Sequence, residues 1–278
     1  MAFRISSRQN PAVARFREAA RGSGDAMLLD GPHLLAEALG VRLRIDLTVV
    51  DHEAMERREE IGRLVREIED AGGEVAMATA AVMAAVSPVR SPSAIVALAQ
   101  RPPQNVSRLF ASPAPFARRG LSVSRPLVVI ACDIQEPGNL GAMVRVAEAA
   151  GASGIIAAGQ SADPFSWKAL RGSMGSALRL PIVAQSSADA LQTARAHHCT
   201  IAAAVPRDGR TPEEIDLTGP TALLVGAEGL GLPDELVELA DERISIPMQP
   251  PVESLNAAVA AAVILYEARR QRHGLALS

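Results

Sequence analysis

The stretch 244-ISIPMQPPVESLNAAVAAAVILYEARRQR-272 has the most constrained pattern in this chain. It predicts a short strand, a proline-rich crossing and a long alanine-rich helix over 254–272. That helix would open on Ser254, Leu255 and Asn256. An ordinary C-terminal helix does not need a polar serine and asparagine around a leucine directly after a proline-stiffened loop. The segment is therefore a candidate for a functional site as well as for a fold element.

Length and composition indicate a globular chain with ample material for a core. The protein has 278 residues, of which 48% are hydrophobic and 21% are charged, so one large or two modest domains are expected. No apolar run reaches the roughly 18 residues that a membrane-spanning helix requires, and the first 20 residues lack the apolar core of a secretory signal. We therefore expect a cytoplasmic protein without a membrane contact.

The two cysteines, Cys132 and Cys199, lie in or beside apolar runs and are far apart in the sequence. This favours buried thiols in a reducing compartment. The histidines and cysteines have no metal-ligand spacing, so no metal is expected.

Positive charge is concentrated in two segments although the net charge of the chain is −3. Residues 1–22 and 101–125 each contain five arginines, and the single acid in both segments together is Glu18. The arginines are Arg4, Arg8, Arg15, Arg17, Arg21, Arg101, Arg108, Arg118, Arg119 and Arg125. Arginine suits forked recognition of phosphate. Charge alone is equally compatible with solvated basic stretches and with a phosphate-binding surface.

The region 101–125 is a predicted proline- and arginine-rich linker or mobile loop that divides the chain, because residues 101–126 contain five prolines and no clear periodicity. Residues 1–100 form a smaller predicted α/β domain, with helices at 11–21, 31–40 and 53–73 and strands at 26–30, 45–50, 74–78 and 94–100. Residues 126–278 form a larger one. Its predicted strands are 126–133, 154–159, 180–184, 199–205, 221–227 and 243–248, and its helices are 139–151, 164–172, 187–198, 233–241 and 254–272. Nearly continuous apolar strands between helices predict an α/β fold with a parallel sheet, which binds ligands at the carboxyl ends of its strands.

Two motifs follow predicted strands at those ends. In 133-DIQEPGNLGAMVRVAEAAG-151, Gly138 and Gly141 allow a tight turn, Asn139 occupies a natural helix-capping position, and Arg145 projects from the second turn. In 223-LLVGAEGLGLP-233, glycines surround Glu228 and would let backbone groups approach a ligand. Their spacing is not that of a dinucleotide fingerprint, and no such fingerprint follows the first strand.

These two motifs and the C-terminal stretch resemble, in order, the three motifs of the SpoU (TrmH-like) RNA 2′-O-ribose methyltransferases of the SPOUT superfamily. The segment 168-KALRGSMGSALRLPI-182 resembles a further element of that family. The resemblance covers roughly residues 126–272. In the N-terminal part, 28-LLDGPHLLAEAL-39 and 87-SPVRSPSAIVAL-98 resemble the ribosomal-protein-like substrate-binding domain that often precedes this catalytic domain.

The resemblance implies a deep trefoil knot, S-adenosylmethionine bound mainly by backbone groups, and a homodimer whose active site is completed across the interface. The implied cofactor-binding residues are Ala203, Ala204, Gly226, Glu228, Gly229, Ile246, Met248 and Leu255. RNA would be the substrate.

The resemblance also implies roles in catalysis for Arg145, Asn139, Glu228, Ser254 and Asn256. Because a guanidinium stays protonated, we expect Arg145 to hold the adjacent RNA phosphate and favour alkoxide formation rather than act as the base. Asn139 would position the ribose or the arginine, and Glu228 would order its loop.

Three alternatives stay open at this point. The chain could be a non-catalytic RNA-binding or assembly factor on the same fold, or a nucleotide-dependent oxidoreductase of the doubly wound type, which the missing fingerprint disfavours. Among RNA substrates, the N-terminal resemblance favours ribosomal (23S) RNA, with transfer RNA as the alternative.

Overall fold

The computed structural model describes residues 3–111 and 125–274, which form two compact units. One unit comprises the residues up to Pro103 together with Phe165–Arg179, and the other comprises Gln104–Pro164 and the residues from Leu180 onward. The sequence predicted a single division within residues 101–125. It did not predict that Phe165–Arg179 would pack with the first unit.

The first unit is a mixed sheet with helices. Its elements along the chain are β1 (Phe3–Ile5), α1 (Pro11–Ala20), β2 (Ala26–Asp30), α2 (Pro32–Gly40), β3 (Ile45–Asp51), α3 (His52–Arg57), α4 (Glu59–Asp70), β4 (Glu74–Ala78), α5 (Ala80–Val86) and β5 (Ile95–Gln100). The sheet order is β1-β4-β3-β5-β2, with β5 antiparallel to both of its neighbours. The single helix predicted over 53–73 was wrong, because Arg58 adopts an extended conformation and separates α3 from α4. Strand β1 and helix α5 were not predicted.

The second unit contains every strand predicted for the C-terminal part. Its elements, and the two helices that belong to the first unit, are α6 (Val106–Leu109), β6 (Leu127–Cys132), α7 (Pro137–Ala150), β7 (Gly154–Ala158), α8 (Trp167–Ser173), α9 (Ser176–Arg179), β8 (Ile182–Gln185), α10 (Ser187–Ala196), β9 (Thr200–Ala204), a 3-10 turn at Pro212–Glu214, β10 (Thr221–Val225), α11 (Asp234–Glu238), β11 (Glu242–Ile244) and α12 (Ala257–Gly274).

All strands of the second sheet are parallel, in the order β11-β9-β10-β6-β7-β8. Strands β6, β7 and β10 are buried along their whole length, which explains their continuous apolar sequences. The predicted α/β fold with a parallel sheet is confirmed. Strand β11 ends at Ile244, so Ile246 and Met248 lie in the following crossing rather than in a strand that reaches residue 248.

Part of the predicted linker belongs to the core of the second unit. Leu109 is fully buried and Phe110 nearly so, in one cluster with residues of β6, β7 and β9. A Cβ added to Gly154 would lie 2.4 Å from Cδ2 of Leu109, so this glycine makes room for the leucine. Residues 106–110 are therefore part of this core rather than of a linker or mobile loop, and residues 112–124, with Arg118 and Arg119, lie outside the described residues.

Both cysteines are free and buried, as the sequence predicted. Within residues 3–111 and 125–274, no helix is long and apolar enough to cross a membrane. The same residues contain no cluster of three or more metal-ligating side chains.

Candidate functional site

The first wall of the site is the start of α7. This helix begins at Pro137 rather than at residue 139, because the carboxylate of Glu136 accepts a hydrogen bond from the Gly138 amide and caps the helix. The predicted capping role of Asn139 is therefore wrong. Asn139 lies in the first turn, where its side chain is available for other contacts, and Arg145 lies in the third turn rather than the second.

The second wall is the loop after β10. Ala227 and Gly231 form an antiparallel bridge, and Gly229 and Gly231 have positive φ angles of 83° and 69°. A Cβ on Gly226 would lie 2.3 Å from the Gly231 carbonyl carbon, so only glycine allows the loop to fold back this closely. The hairpin holds Glu228 near its tip.

The third wall is the crossing before α12. The helix begins at Ala257, three residues later than predicted, and Ser254–Asn256 lie in the loop that precedes it. The Asn256 Oδ1 accepts hydrogen bonds from the Ala258 and Val259 amides at 3.0 and 3.3 Å. Asn256 therefore caps α12, which explains a polar residue at the start of an apolar helix.

The three walls meet at the side chain of Asn256. Its Nδ2 donates to the Asn139 Oδ1 at 3.0 Å and also to the Glu228 carboxylate. A carboxylate can only accept and a backbone amide can only donate, so these partners fix which way the Asn256 amide points. Its bond to Asn139 then fixes the second amide. The Asn139 Nδ2, with two N–H groups, has no partner among the residues that the structure describes.

Sheet topology explains why residues so distant in sequence meet. The segments that carry Asn139 and Glu228, the start of α7 and the glycine-rich loop, follow β6 and β10, which are neighbours in the parallel sheet. Their carboxyl ends therefore lie side by side at one edge. Helix α12 packs along α7 through small buried residues, including Ala257, Ala258 and Ala261, which brings its capping residue to the same place.

A cavity of about 650 Å³ lies beside this cluster and is within the size range of small-molecule sites. The predicted residues that line it are Ala204, Gly226, Glu228, Gly229, Ile246, Met248, Ser254, Leu255 and Asn256. Ala203 does not line the cavity; its side chain is fully buried in the core, because successive residues of a strand face opposite sides of the sheet. Asn139 and Arg145 are not in the lining either.

The sequence interpretation missed several polar and apolar residues of the cavity. They include Arg207, Asp208, Leu230, Asp234 and Arg243. A usable signal was present for the first two, because the charged segment 207-RDGR-210 follows directly after the apolar run that contains β9. Charged residues just beyond a buried parallel strand are positioned at the ligand-binding edge of the sheet.

Arg145 stands apart from the cluster within its own chain. It is exposed on α7 and has no hydrogen-bond or ion-pair partner among the described residues. The thiol of Cys132, the last residue of β6, is not a candidate nucleophile. Burial, and secondarily the charge of Asp133, raise its pKa to about 12.

Comparison with known proteins matches residues 126–266 to the SpoU rRNA Methylase family, which is half of the chain. A tRNA/rRNA methyltransferase of Synechocystis sp. described as uncharacterized is 34% identical, over 96% of this chain and 94% of its own. The chain belongs to the SpoU rRNA methylase family.

Two further similar proteins cover nearly the full length. The 23S rRNA (guanosine(2553)-2′-O)-methyltransferase of Bacillus subtilis is 28% identical over 90% of both chains. A crystal structure of an AdoMet-bound rRNA methyltransferase from Sinorhizobium meliloti superposes with a TM-score of 0.81 at 28% identity, covering 97% of this chain and 98% of that one. The likeness therefore includes both units of the fold and not only the segment that matches the family.

Proposed function

We propose that this protein transfers the methyl group of S-adenosylmethionine to a ribose 2′-hydroxyl of RNA. The observation that carries the proposal is the hydrogen-bonded chain from the Glu228 carboxylate through the Asn256 amide to the Asn139 amide, at the edge of the cavity that Glu228 and Asn256 line. Each of the three residues comes from a different motif, and the hydrogen bonds between them orient their side chains. Such pre-oriented donors stabilise charge that develops on a reacting oxygen.

The residues of the cavity fit S-adenosylmethionine. Ile246, Met248 and Leu255 offer apolar surface for the adenine ring, and the loop of Gly226 and Gly229 exposes backbone groups to a polar ligand. The cofactor supplies an electrophilic methyl group on a sulfonium sulfur. The charged lining residues Asp234 and Arg207 are suitable partners for the amino and carboxylate groups of its methionine part.

In the proposed reaction, the ribose 2′-oxygen forms a bond to the methyl carbon while the carbon–sulfur bond breaks, and the hydroxyl proton passes to the adjacent phosphate or to a water. Asn139 donates an N–H to the ribose, since its amide is already oriented by Asn256. Arg145 binds the RNA phosphate beside the reacting hydroxyl and stabilises the developing alkoxide. It does not accept the proton, because its guanidinium stays charged at physiological pH.

We propose further that the active form is a homodimer in which Arg145 of one subunit serves the cavity of the other. Two observations support this. Arg145 does not line the cavity of its own chain, and α12 exposes an apolar stripe of Val259, Val263 and Tyr266 at helical spacing.

A mixing experiment tests this arrangement. Arg145→Ala and Asn256→Asp proteins, each inactive alone, are unfolded and refolded together at equal concentration. If the site is composite, half of the dimers are mixed and each contains one intact site, so the mixture recovers about a quarter of wild-type activity. If Arg145 acts within its own chain, no site is intact and the mixture stays inactive.

The favoured substrate is 23S ribosomal RNA, with transfer RNA as the alternative, and such a substrate would place the reaction in the cytoplasm. We assign RNA binding to the first unit and methyl transfer to the second.

The trefoil knot also stays a prediction, supported by family membership and by β10 lying between β9 and β6 in the sheet.

Mapping of ribose methylation in total RNA, with and without the gene, tests the function itself. One or a few 2′-O-methyl positions should disappear in the absence of the protein and return with the wild-type gene but not with Arg145→Ala. An unchanged methylation map would refute the proposal, and a change in transfer RNA alone would correct the substrate.

A further inference from the structure

A second concave surface lies in the first unit, between the carboxyl half of α1 and the end of α5. The groove has a volume of about 440 Å³. Its lining comprises Arg17, Ala20, Arg21, Ala85, Val86, Ser87 and Pro88. None of these residues belongs to the methyl-transfer cavity, and all of them precede residues 126–266, which match the family.

The two arginines of the groove are held in place through one nitrogen each. The Arg17 Nε donates to the Ala85 carbonyl at 3.4 Å, and the Arg21 Nε donates to the Arg17 carbonyl at 3.1 Å. Arg8 follows the same pattern, with its Nε on the Ala81 carbonyl at 3.0 Å. The terminal nitrogens of these three guanidiniums contact no carboxylate among the described residues, although Glu18 lies on the same helix.

This pattern differs from that of ordinary surface arginines in the same unit. Arg57 and Arg63, for example, form ion pairs with acids one helical turn away. In the groove, the bond through Nε reduces the freedom of the side chain and leaves the forked end of the guanidinium available. A fork oriented in this way is suited to a phosphate group, which it can contact through two nitrogens at once.

The opposite wall of the groove is anchored from within the unit. Ser87 lines the groove, and its hydroxyl donates to the Asp30 carboxylate at 3.4 Å. The Asp30 side chain is 1% exposed and lies 3.9 Å from a terminal nitrogen of Arg171. These contacts hold the start of the loop after α5 against the core of the unit and therefore fix the position of one side of the groove.

We propose that this groove binds the phosphodiester backbone of the RNA substrate, with Arg17 and Arg21 each neutralising one phosphate. The two arginines are one helical turn apart, with ~5–6 Å between their Cβ atoms, so they can contact neighbouring phosphates of one strand. The inference rests on the proposed function for the identity of the ligand. An acidic protein segment would also suit two arginines, but it would not give the ionic-strength dependence that counterion release from RNA produces.

The test compares an Arg17→Gln/Arg21→Gln protein with a matched control, Arg63→Gln/Arg66→Gln, which removes the same charge from exposed positions of α4 in the same unit. The probe is unmodified 23S rRNA transcribed in vitro, and its dissociation constant is measured by filter binding at several salt concentrations. Removal of two phosphate contacts should flatten the slope of log Kd against log salt concentration by about 1.4 to 1.8 and raise Kd about tenfold at low salt. The control should bind with the wild-type slope.

Turnover and cofactor binding separate this groove from the reaction site. The groove variant should show a raised KM for RNA, a kcat close to the wild-type value at saturating RNA, and unchanged affinity for S-adenosylmethionine by calorimetry. An unchanged salt slope, or an equal loss in the control, would overturn the proposal. Because RNA binding is measured without turnover, a wild-type protein that binds the RNA but transfers no methyl group would count against the proposed function and not against the groove.

Discussion

Substitution of Asn256 separates its two roles, capping α12 and orienting the amide of Asn139. Asn256→Ala removes both. Loss of the cap costs about 1 kcal/mol. Loss of the bonds to Asn139 and Glu228 adds roughly another 1 kcal/mol, because both bonds are exposed and weakened by solvent. We therefore expect a loss of about 2 kcal/mol in the free energy of unfolding, and a melting temperature lower by about 5 °C.

Asn256→Asp keeps an equally good cap, since aspartate accepts from the Ala258 and Val259 amides as asparagine does. It cannot donate to Asn139, and it places a second carboxylate against Glu228. Transfer of radiolabelled methyl groups to RNA should fall about 100-fold in both variants, because a misplacement of a reacting group by about 1 Å can cost that much. Melting curves and urea titrations should show that the aspartate variant retains the cap contribution.

The comparison has a clear negative outcome. If Asn256→Asp turns over near the wild-type rate while Asn256→Ala does not, the cap alone explains the importance of Asn256, and the amide chain from Glu228 to Asn139 has no role in catalysis. Circular dichroism of both variants is the control for an intact fold.

Three further predictions concern the loop, the end of α12 and the thiols. Gly226→Ala should abolish binding of S-adenosylmethionine in calorimetry, because its Cβ would lie 2.3–2.4 Å from the backbone of Gly231 and Leu232. The control is Gly219→Ala, which should bind the cofactor normally, since a Cβ there has no atom within 4 Å. Arg272→Lys should lower the free energy of unfolding by about 2–3 kcal/mol in urea titrations. Lysine keeps the charge but lacks the forked guanidinium that donates to the Leu217, Gly219 and Arg125 carbonyls. A stability equal to that of the wild type would refute this account. Burial raises the thiol pKa of Cys132 to about 12 and that of Cys199 to about 11, from the ordinary cysteine pKa of 9.0. Above pH 9 the thiols of the unfolded state therefore lose their protons before those of the folded state do. The free energy of unfolding consequently falls as the pH rises. The slope is steepest near pH 10, where each thiol should contribute about 1 kcal/mol of this loss per pH unit. A Cys132→Ala/Cys199→Ala protein should lack that part of the slope, and an unchanged slope would contradict the prediction.

Much of the second unit was predictable because its signals are local. Apolar strands that are buried on both faces read as continuous runs, so all six strands of the parallel sheet were found, with errors confined to their ends. The first residues of the helices were harder to predict, because the start of a helix depends on a single side-chain contact that caps it. Glu136 rather than Asn139 caps α7, and Asn256 rather than Ser254 marks the start of α12.

The first unit was less predictable for a related reason. A continuous amphipathic pattern over 53–73 concealed the break at Arg58, and the alanine-rich α5 has little periodicity to detect. Residues 106–110 read as part of a proline-rich linker, since nothing local indicates that Leu109 fills the space above a glycine more than 40 positions away.

By itself, the sequence determined the fold class, the family and the order of the three motifs, because each of these depends on residue types at short spacing. The tertiary structure decided what the motifs do to one another. Only the adjacency of β6 and β10, and the packing of α12 along α7, bring Asn139, Glu228 and Asn256 into one hydrogen-bonded chain. The structure also places Arg145 outside the cavity of its own chain, and the alternation of side chains along β9 places Ala203 outside its lining. The hydrogen-bonded chain depends on contacts between residues more than 25 positions apart, and the residue spacing within each motif does not encode these contacts.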